Sequence, residues 1–261
     1  MSELAVATLS DVGIDAVALK PAEVDLQRAQ ALDVEMVTVD YEGHEHVPAP
    51  DVLSDLAASF EVRATVPVRA DGFDPLGDDE MRTQLPGSVG EVLVAGHPTY
   101  LSEAERRRAV APRLEAASTN GDPWVGTEGF ERLALALGGT QFDLLSTATA
   151  REVHALRTAG FEEPIAVYAP TVLTDDEDAV LDAVGAYAAR RGRVRDSLPR
   201  DAPRDHTVTG SARETLLAAC REYALVGDPE TVARRVSELR DAGVDHVVGY
   251  PARGLDAVAP S

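Results

Sequence analysis

Short apolar runs bounded by Gly, Pro and Asp alternate with stretches of helical periodicity along the whole chain. The sharpest unit is the last, Leu225 to Pro251. Asp228 is a natural N-cap and Pro229 suits a first helical position, where no N–H is needed. Val232, Val236 and Leu239 then fall on one helical face, and Gly243 supplies the left-handed stop. Val244 to Tyr250 follows as a short apolar strand.

The same alternation runs through the rest. Strands are expected at 13–19, 34–39, 62–68, 91–95, 124–125, 142–145 and 165–168. Helices are expected at 23–32, 50–60, 103–117, 130–137, 151–158, 175–191 and 212–223. Two irregular stretches remain: a loop rich in Gly, Pro and Asp from Ala70 to Gly90, and a polar excursion from Gly192 to Thr209. Eight strands alternating with helices over 261 residues predict one (β/α)8 TIM barrel spanning residues 1–261, a fold of typically ~250 residues. An open doubly wound sheet is the other arrangement of such units, but no G-x-G-x-x-G follows the first strand.

Charge narrows the partners. Asp and Glu number 45 against 24 Lys and Arg, a net charge of −21, and Lys20 is the only lysine. An acidic, lysine-poor chain suits high salt, where a solvated carboxylate shell keeps it soluble and its self-repulsion is screened. Nucleic acid is excluded as a partner on this charge, since phosphate binding needs a basic surface. The one cysteine, Cys220, sits in an apolar helical pattern and reads as a small core residue in a reducing cytoplasm. No apolar run approaches the ~18 residues of a membrane span, so a soluble cytoplasmic protein is expected.

The segment from Leu225 to Val247 carries a family resemblance. Gly227 to Val232 (G-D-P-E-T-V) and Ala242 to Val247 (A-G-V-D-H-V) resemble the C-terminal signature of the bacterial luciferase-like oxidoreductases, whose members use FMN or the deazaflavin coenzyme F-420. Arg28 to Val34 is similar to that family's helix into its second strand, and Asp40 falls where many members have Asp-His. The run Asp51 to Val68 is similar to the helix and third strand. Val125 to Phe130, with Leu133-Ala134 and Phe142-Asp143, resembles the fifth strand, phosphate turn and sixth strand. The chain departs from the pattern in several places. Asp143-Leu144 stands where members have Asp-Gly, Tyr41 follows Asp40 in place of histidine, Glu128 lies in the phosphate turn, and the segment between the fourth and fifth strands is short. The resemblance therefore implies a compact, divergent member.

In a barrel, chemistry gathers at the C-terminal ends of the strands. The resemblance implies that Asp40, His97 and Ser146 line the ring or substrate side. It also implies that Gly126, Thr127, Glu128, Gly129 and Phe130 hold the phosphate side of F-420 or FMN, where a helix start offers free N–H groups. His44-x-His46 with His97 could be read as a metal triad, but beside Glu42 and Glu45 these histidines read as solvated side chains. Arg106-Arg107-Arg108 reads as surface pairing, because neighbours on a helix point apart, and Asp245 and His246 read as hydrogen-bonding groups at the barrel bottom. Two functions follow. One is hydride transfer between the cofactor and a small-molecule substrate, with a homodimer as the usual state of such enzymes. The other is a barrel without redox chemistry that serves in ligand binding or assembly, which the missing Asp-Gly and the shortened middle favour.

Overall fold

The computed structural model describes residues 7–70, 80–118, 122–126 and 131–259. Strands β1 (Ala16–Leu19), β2 (Met36–Val39), β3 (Glu61–Pro67), β4 (Val89–Val94), β5 (Trp124–Val125), β6 (Gln141–Leu144) and β7 (Ile165–Leu173) pair in sequence and in parallel. Beyond them lie β8 (Leu225–Gly227) and β9 (His246–Pro251). The closing strand is β9, which pairs with both β7 and β1. The eight strands β1 to β7 and β9 thus form a closed parallel (β/α)8 barrel. Strand β8 stands outside it, paired to the far end of β7 at Thr171–Leu173.

Ten helices surround or cap the barrel among the described residues: α1 (Pro50–Ala57), α2 (Glu80–Gln84), α3 (Glu103–Arg106), α4 (Ala111–Ser118), α5 (Glu131–Leu137), α6 (Thr149–Thr158), α7 (Glu177–Ala189), α8 (Gly192–Ser197), α9 (Gly210–Tyr223) and α10 (Pro229–Ala242). None is long and apolar enough to cross a membrane. Residue parity sorts the strand side chains into two layers. Ala16, Ala18, Met36, Val92, Trp124, Phe142, Ala166 and Val248 fill the barrel interior. Val17, Val37, Val62 and Val247 face outward onto Leu53 and Leu56 of α1 and onto Val232, Val236 and Leu239 of α10.

The α10–β9 unit forms as its sequence dictates. Asp228 Oδ1 accepts from Thr231 N at 2.7 Å, and Gly243 closes the helix at φ 109°. At the barrel bottom, Asp15 accepts from Val247 N at 3.1 Å and pairs with Arg240 and His246, while the His246 ring stacks on Trp124 at 5.2 Å. Asp245 is held by Arg157, which also donates to the carbonyls of Gly243, Phe161 and Glu163. Asp245 and His246 are thus structural, as expected. This guanidinium fork ties the end of α6 to the α10–β9 turn, and an ammonium lacks the geometry to replace it. Arg157→Lys should cost about 2 kcal/mol, seen as a lower urea midpoint at unchanged slope; an unchanged midpoint would show the fork is dispensable.

Several elements differ from the pattern. The expected helix 23–32 is a 3-10 helix over Leu26–Ala31, in which Leu26, Ala29 and Leu32 are buried at spacings of three while Ala31 faces solvent. Three residues per turn, rather than 3.6, places those side chains in one column. The expected helix 103–117 is broken into α3 and α4, because Pro112 would clash with the carbonyl four residues before it in a continuous helix. In that run Arg106 reaches the carbonyl of Leu101, Arg107 pairs with Glu103, and Arg108 reaches the carbonyl of Ala70, so the three point apart. Part of the expected loop 70–90 is α2, and Leu225–Gly227 is a strand where a turn was expected.

The largest difference is the excursion 192–209. It contains α8, and it buries Val194 and Val208 in a core of its own with Leu181, Val184, Leu216 and Cys220. Burial pushes the Cys220 thiol up to about 12, so this cysteine is inert packing. Gly185 lets α7 approach the incoming chain: a Cβ there would lie 2.4 Å from Arg204 O. Helix α7 has 13 residues, about 20 Å at 1.5 Å per residue. It starts beyond β7, and Arg190 at its end bears electrostatically on His97 and Tyr100 beyond β4. The end of α7 thus lies near the C-terminal ends of the strands, and α7, α8 and α9, which share one core there with Val172 and Val226, make up the cap.

Candidate active site in the capped barrel mouth

Four consecutive staves of the barrel place polar side chains at the mouth: Tyr168 on β7, Tyr250 on β9, Lys20 after β1 and Asp40 after β2. Asp40 N donates to Leu19 O at 2.8 Å, carrying the β1–β2 ladder one step past the strands. Parity then puts Lys20 above Ala16 and Ala18, and Asp40 above Met36 and Thr38, on the interior side.

The Tyr168 hydroxyl donates to Asp40 Oδ2 at 3.3 Å. The Tyr168 and Tyr250 rings lie nearly parallel, 9° apart with centroids at 6.4 Å. Lys20 Nζ sits 3.9 Å over the Tyr250 ring and 3.3 Å from Glu23 Oε1, while the Tyr250 hydroxyl donates to the other oxygen of Glu23. Glu42, buried at 7 % exposure, accepts from Ala22 N at 2.8 Å and so fixes the loop carrying Lys20 and Glu23.

Asp40 retains some solvent contact yet is surrounded by protein, as befits a group at the floor of a narrow mouth. Burial raises its carboxyl to about 7, with Glu42 and Glu23 adding to the effect and Lys20 and the Tyr168 hydrogen bond opposing it. Burial and the Asp40 charge raise the Tyr168 phenol far above its ordinary value, so Tyr168 is a fixed donor. Burial lowers His97 across the mouth, and the Arg190 charge adds to it. Arg190 and Arg191 both lie over the Tyr187 ring of the cap, and Arg191 also lies over Tyr223.

Three buried polar atoms in this region have no partner among the described residues. They are Thr38 Oγ1 inside the barrel below Asp40, Arg69 Nε after β3, and Arg191 Nε after α7. The mouth thus has two halves: carboxylates, phenols and one ammonium on the β7–β9–β1–β2 side, and histidine and arginine on the β3–β4 side and the cap.

The residues expected from sequence fall unequally. Asp40 is the centre of the mouth cluster. His97 lies on the facing side, where Nδ1 accepts from Thr99 N at 3.2 Å and the ring meets Tyr100 at 6.0 Å. Ser146 Oγ is occupied in a turn, accepting from Ala148 N and bonded to Thr149 Oγ1, both at 3.2 Å. No hydrogen bond joins Asp40, His97 and Ser146 among the described residues. Gly126 ends β5, with its N–H on Leu93 O at 3.1 Å. Its lack of a side chain is set by the neighbouring strand, since a Cβ would lie 1.8 Å from Phe142 O. Thr127, Glu128, Gly129 and Phe130 lie outside the described residues. Asp143 faces outward on β6, into a cavity of about 370 Å³ between α5 and α6, and burial raises it to about 6.

His44 pairs with the buried Glu105 at 3.2 Å, and the residues His44, His46 and His97 do not gather as a ligating group among the described residues. The side chains that do are Asp182, Asp205 and His206, all exposed on the cap. A cavity of about 410 Å³ between α9, α10 and β8 is lined by arginines and carboxylates that neutralise one another, with Arg221 on Glu177 at 3.0 Å and Arg234 on Glu238 at 2.6 Å.

Tyr168, Tyr250 and Arg69 stand at strand ends, where a barrel gathers its candidate groups, so the sequence points to them. It does not point to Lys20 or Arg191; parity is the signal for Lys20, which continues the inward-facing positions of β1.

The fold and site define a capped (β/α)8 barrel with an ionisable, aromatic mouth. Within that class the chain belongs to a family of unknown function, DUF7388, whose model matches residues 9–258. Among solved structures, a monooxygenase, RslO1 from Streptomyces bottropensis, is similar at 17% identity with a TM-score of 0.47, over 91% of this chain and 92% of that chain. Among curated proteins no sequence matches this chain.

Proposed function

We propose that the mouth is the active site of a luciferase-like oxidoreductase that binds FMN or coenzyme F-420 and a small-molecule substrate. The observations that carry this reading are a carboxyl at the strand ends that burial raises to about 7, and two buried guanidinium Nε atoms, of Arg69 after β3 and Arg191 after α7, that have no acceptor among the described residues. Arg69 and Arg191 would hold the anionic part of the cofactor, because a buried N–H without an acceptor is costly and an anion relieves that cost. A bound flavin or deazaflavin supplies or accepts the hydride. Asp40, near neutrality in its titration, takes or returns the proton that accompanies hydride movement at the substrate, while Tyr168 fixes the carboxyl. The cap excludes water from the reacting groups.

Titration of the pure protein at high salt with FMN and with F-420, followed by fluorescence and melting, tests this reading. A cofactor at one hundred times its Kd should stabilise by about 2.7 kcal/mol. Arg191→Met should weaken it by about tenfold, a loss of ~1.4 kcal/mol. Absence of any shift with both cofactors would sink the proposal.

A further inference from the structure

Lys20 is the only lysine among the 24 basic Lys and Arg residues of the chain, and it stands in the barrel mouth. Everywhere else the chain uses arginine. For anchoring an anion, arginine serves at least as well, through its planar fork and permanent charge. What lysine alone offers is an amine that can lose its proton and attack carbon. Lys20 is held in a fixed place at the mouth, beside a second ionisable group. Its side chain is 22% exposed, reachable from the mouth but held in place, with Nζ over the Tyr250 ring and 3.3 Å from Glu23. Asp40 projects from the paired position on the adjacent strand, and its carboxyl is oriented by the Tyr168 hydroxyl.

We propose that Lys20 is a reactive amine that captures an aldehyde or ketone as an imine in the barrel mouth, with Asp40 carrying the protons. This function is independent of any flavin or deazaflavin. The Asp40 carboxylate takes one proton from the ε-ammonium. The freed nitrogen lone pair forms the C–N bond while the carbonyl π pair moves to oxygen, which takes the proton back from Asp40. Asp40 then removes a proton from the nitrogen of this carbinolamine and returns it to the hydroxyl. The C–O bond breaks, water leaves, and the nitrogen lone pair forms the C=N bond. The net change is ammonium plus carbonyl to iminium plus water, and Asp40 ends as it began. A carboxyl that titrates near 7 exists in both of the forms this cycle needs at neutral pH.

The test uses the full chain with acetone, pyruvate and glycolaldehyde as probes and cyanoborohydride to trap any imine, followed by peptide mass mapping. Because the chain has a single ε-amine, adducts at Lys20 are separated from the α-amine without ambiguity. With at least one probe, the folded protein should be trapped at Lys20 about tenfold or more faster than the urea-denatured chain, with a rate that saturates in carbonyl concentration. In a folded Asp40→Asn variant, verified by circular dichroism and melting, the rate should fall toward that of the denatured chain. Trapping no faster than in the denatured chain with all three probes, or confined to the α-amine, would overturn the proposal. An unchanged folded-state rate in Asp40→Asn would overturn the assignment of Asp40. The denatured reference keeps the main result readable without any variant, and the assay contains no redox cofactor, so its failure is distinct from failure of the flavin titration.

Discussion

Asp40→Asn should make the protein more stable and less active, and the gain should depend on pH. The carboxyl is raised from its ordinary value to about 7 in the folded chain, chiefly by burial. A raised carboxyl binds its proton more tightly when folded than when unfolded. Its stabilising contribution is therefore complete below the unfolded value near 3.8 and is lost as pH rises through about 7. Above neutrality the enclosed carboxylate is a net cost. The full shift would correspond to ~4 kcal/mol, and partial solvent contact at the mouth reduces this to on the order of 1–3 kcal/mol. Asparagine keeps an oxygen for the Tyr168 hydroxyl and has no charge to desolvate. Melts at pH 4 and pH 8 should then show the variant matching the natural chain at the lower pH and exceeding it at the higher one. Parallel profiles would show that the mouth does not bury a carboxylate. Turnover, once a substrate is found, should fall by about 10²–10⁴-fold, the usual contribution of a positioned acid or base.

Such a residue is visible in sequence only indirectly. Asp40 was found because it ends an apolar run, and a carboxyl at the C-terminal end of a barrel strand stands where the loops converge. Tyr168 and Tyr250 also stand at strand ends and are candidates on the same ground. They become neighbours of Asp40 and Lys20 only once closure of the barrel sets β7 and β9 beside β1 and β2. Lys20 was conspicuous by composition, yet beside Pro21 it read as a strand stop. The barrel itself was legible because βα alternation is a local pattern repeated along the chain. The cap was less so. Val194 and Val208 sit among charged residues in a stretch that looks exposed, and what buries them is α7 and α9, distant in sequence. Strand β8 is three residues long and exists only because β7 overshoots the barrel to meet it. The 3-10 helix at Leu26–Ala31 is written in the spacing of three between Leu26, Ala29 and Leu32, a period close enough to 3.6 to pass for an α-helix over so short a run. Ser146 stands differently: its hydroxyl, at a strand end, is engaged by its own turn.

Gly126→Ala should open the barrel at its weakest stave. The added Cβ would lie 1.8 Å from Phe142 O and 2.8 Å from the carbonyl carbon, so relief requires β5 and β6 to part. Neither partner is a flexible side chain that can swing away. Strand β5 has two residues, and its ladder to β6 runs through the single pairing of Val125 with Gln141. Overpacking of a core typically costs 1–3 kcal/mol, and a clash between two backbones belongs at or above the top of that range, about 3 kcal/mol or more. Trp124, the only tryptophan, reports the event directly, because it is buried on β5 against Phe142 and His246. Its emission should shift to the red and the melting temperature should fall by ten degrees or so, consistent with ~4–8 °C per kcal/mol in smaller domains and less in larger ones. Gly87→Ala, at an exposed position with nothing within 4 Å of the new methyl group, should leave both unchanged. Native emission and an unshifted melt in Gly126→Ala would mean that β5 and β6 are not in this contact. Gly126 opens the turn expected to meet a cofactor phosphate, yet its glycine is already demanded by the sheet. Loss of cofactor binding in Gly126→Ala is therefore what a broken barrel predicts, whereas loss in Arg191→Met, in a protein that still melts like the natural chain, bears on the ligand alone.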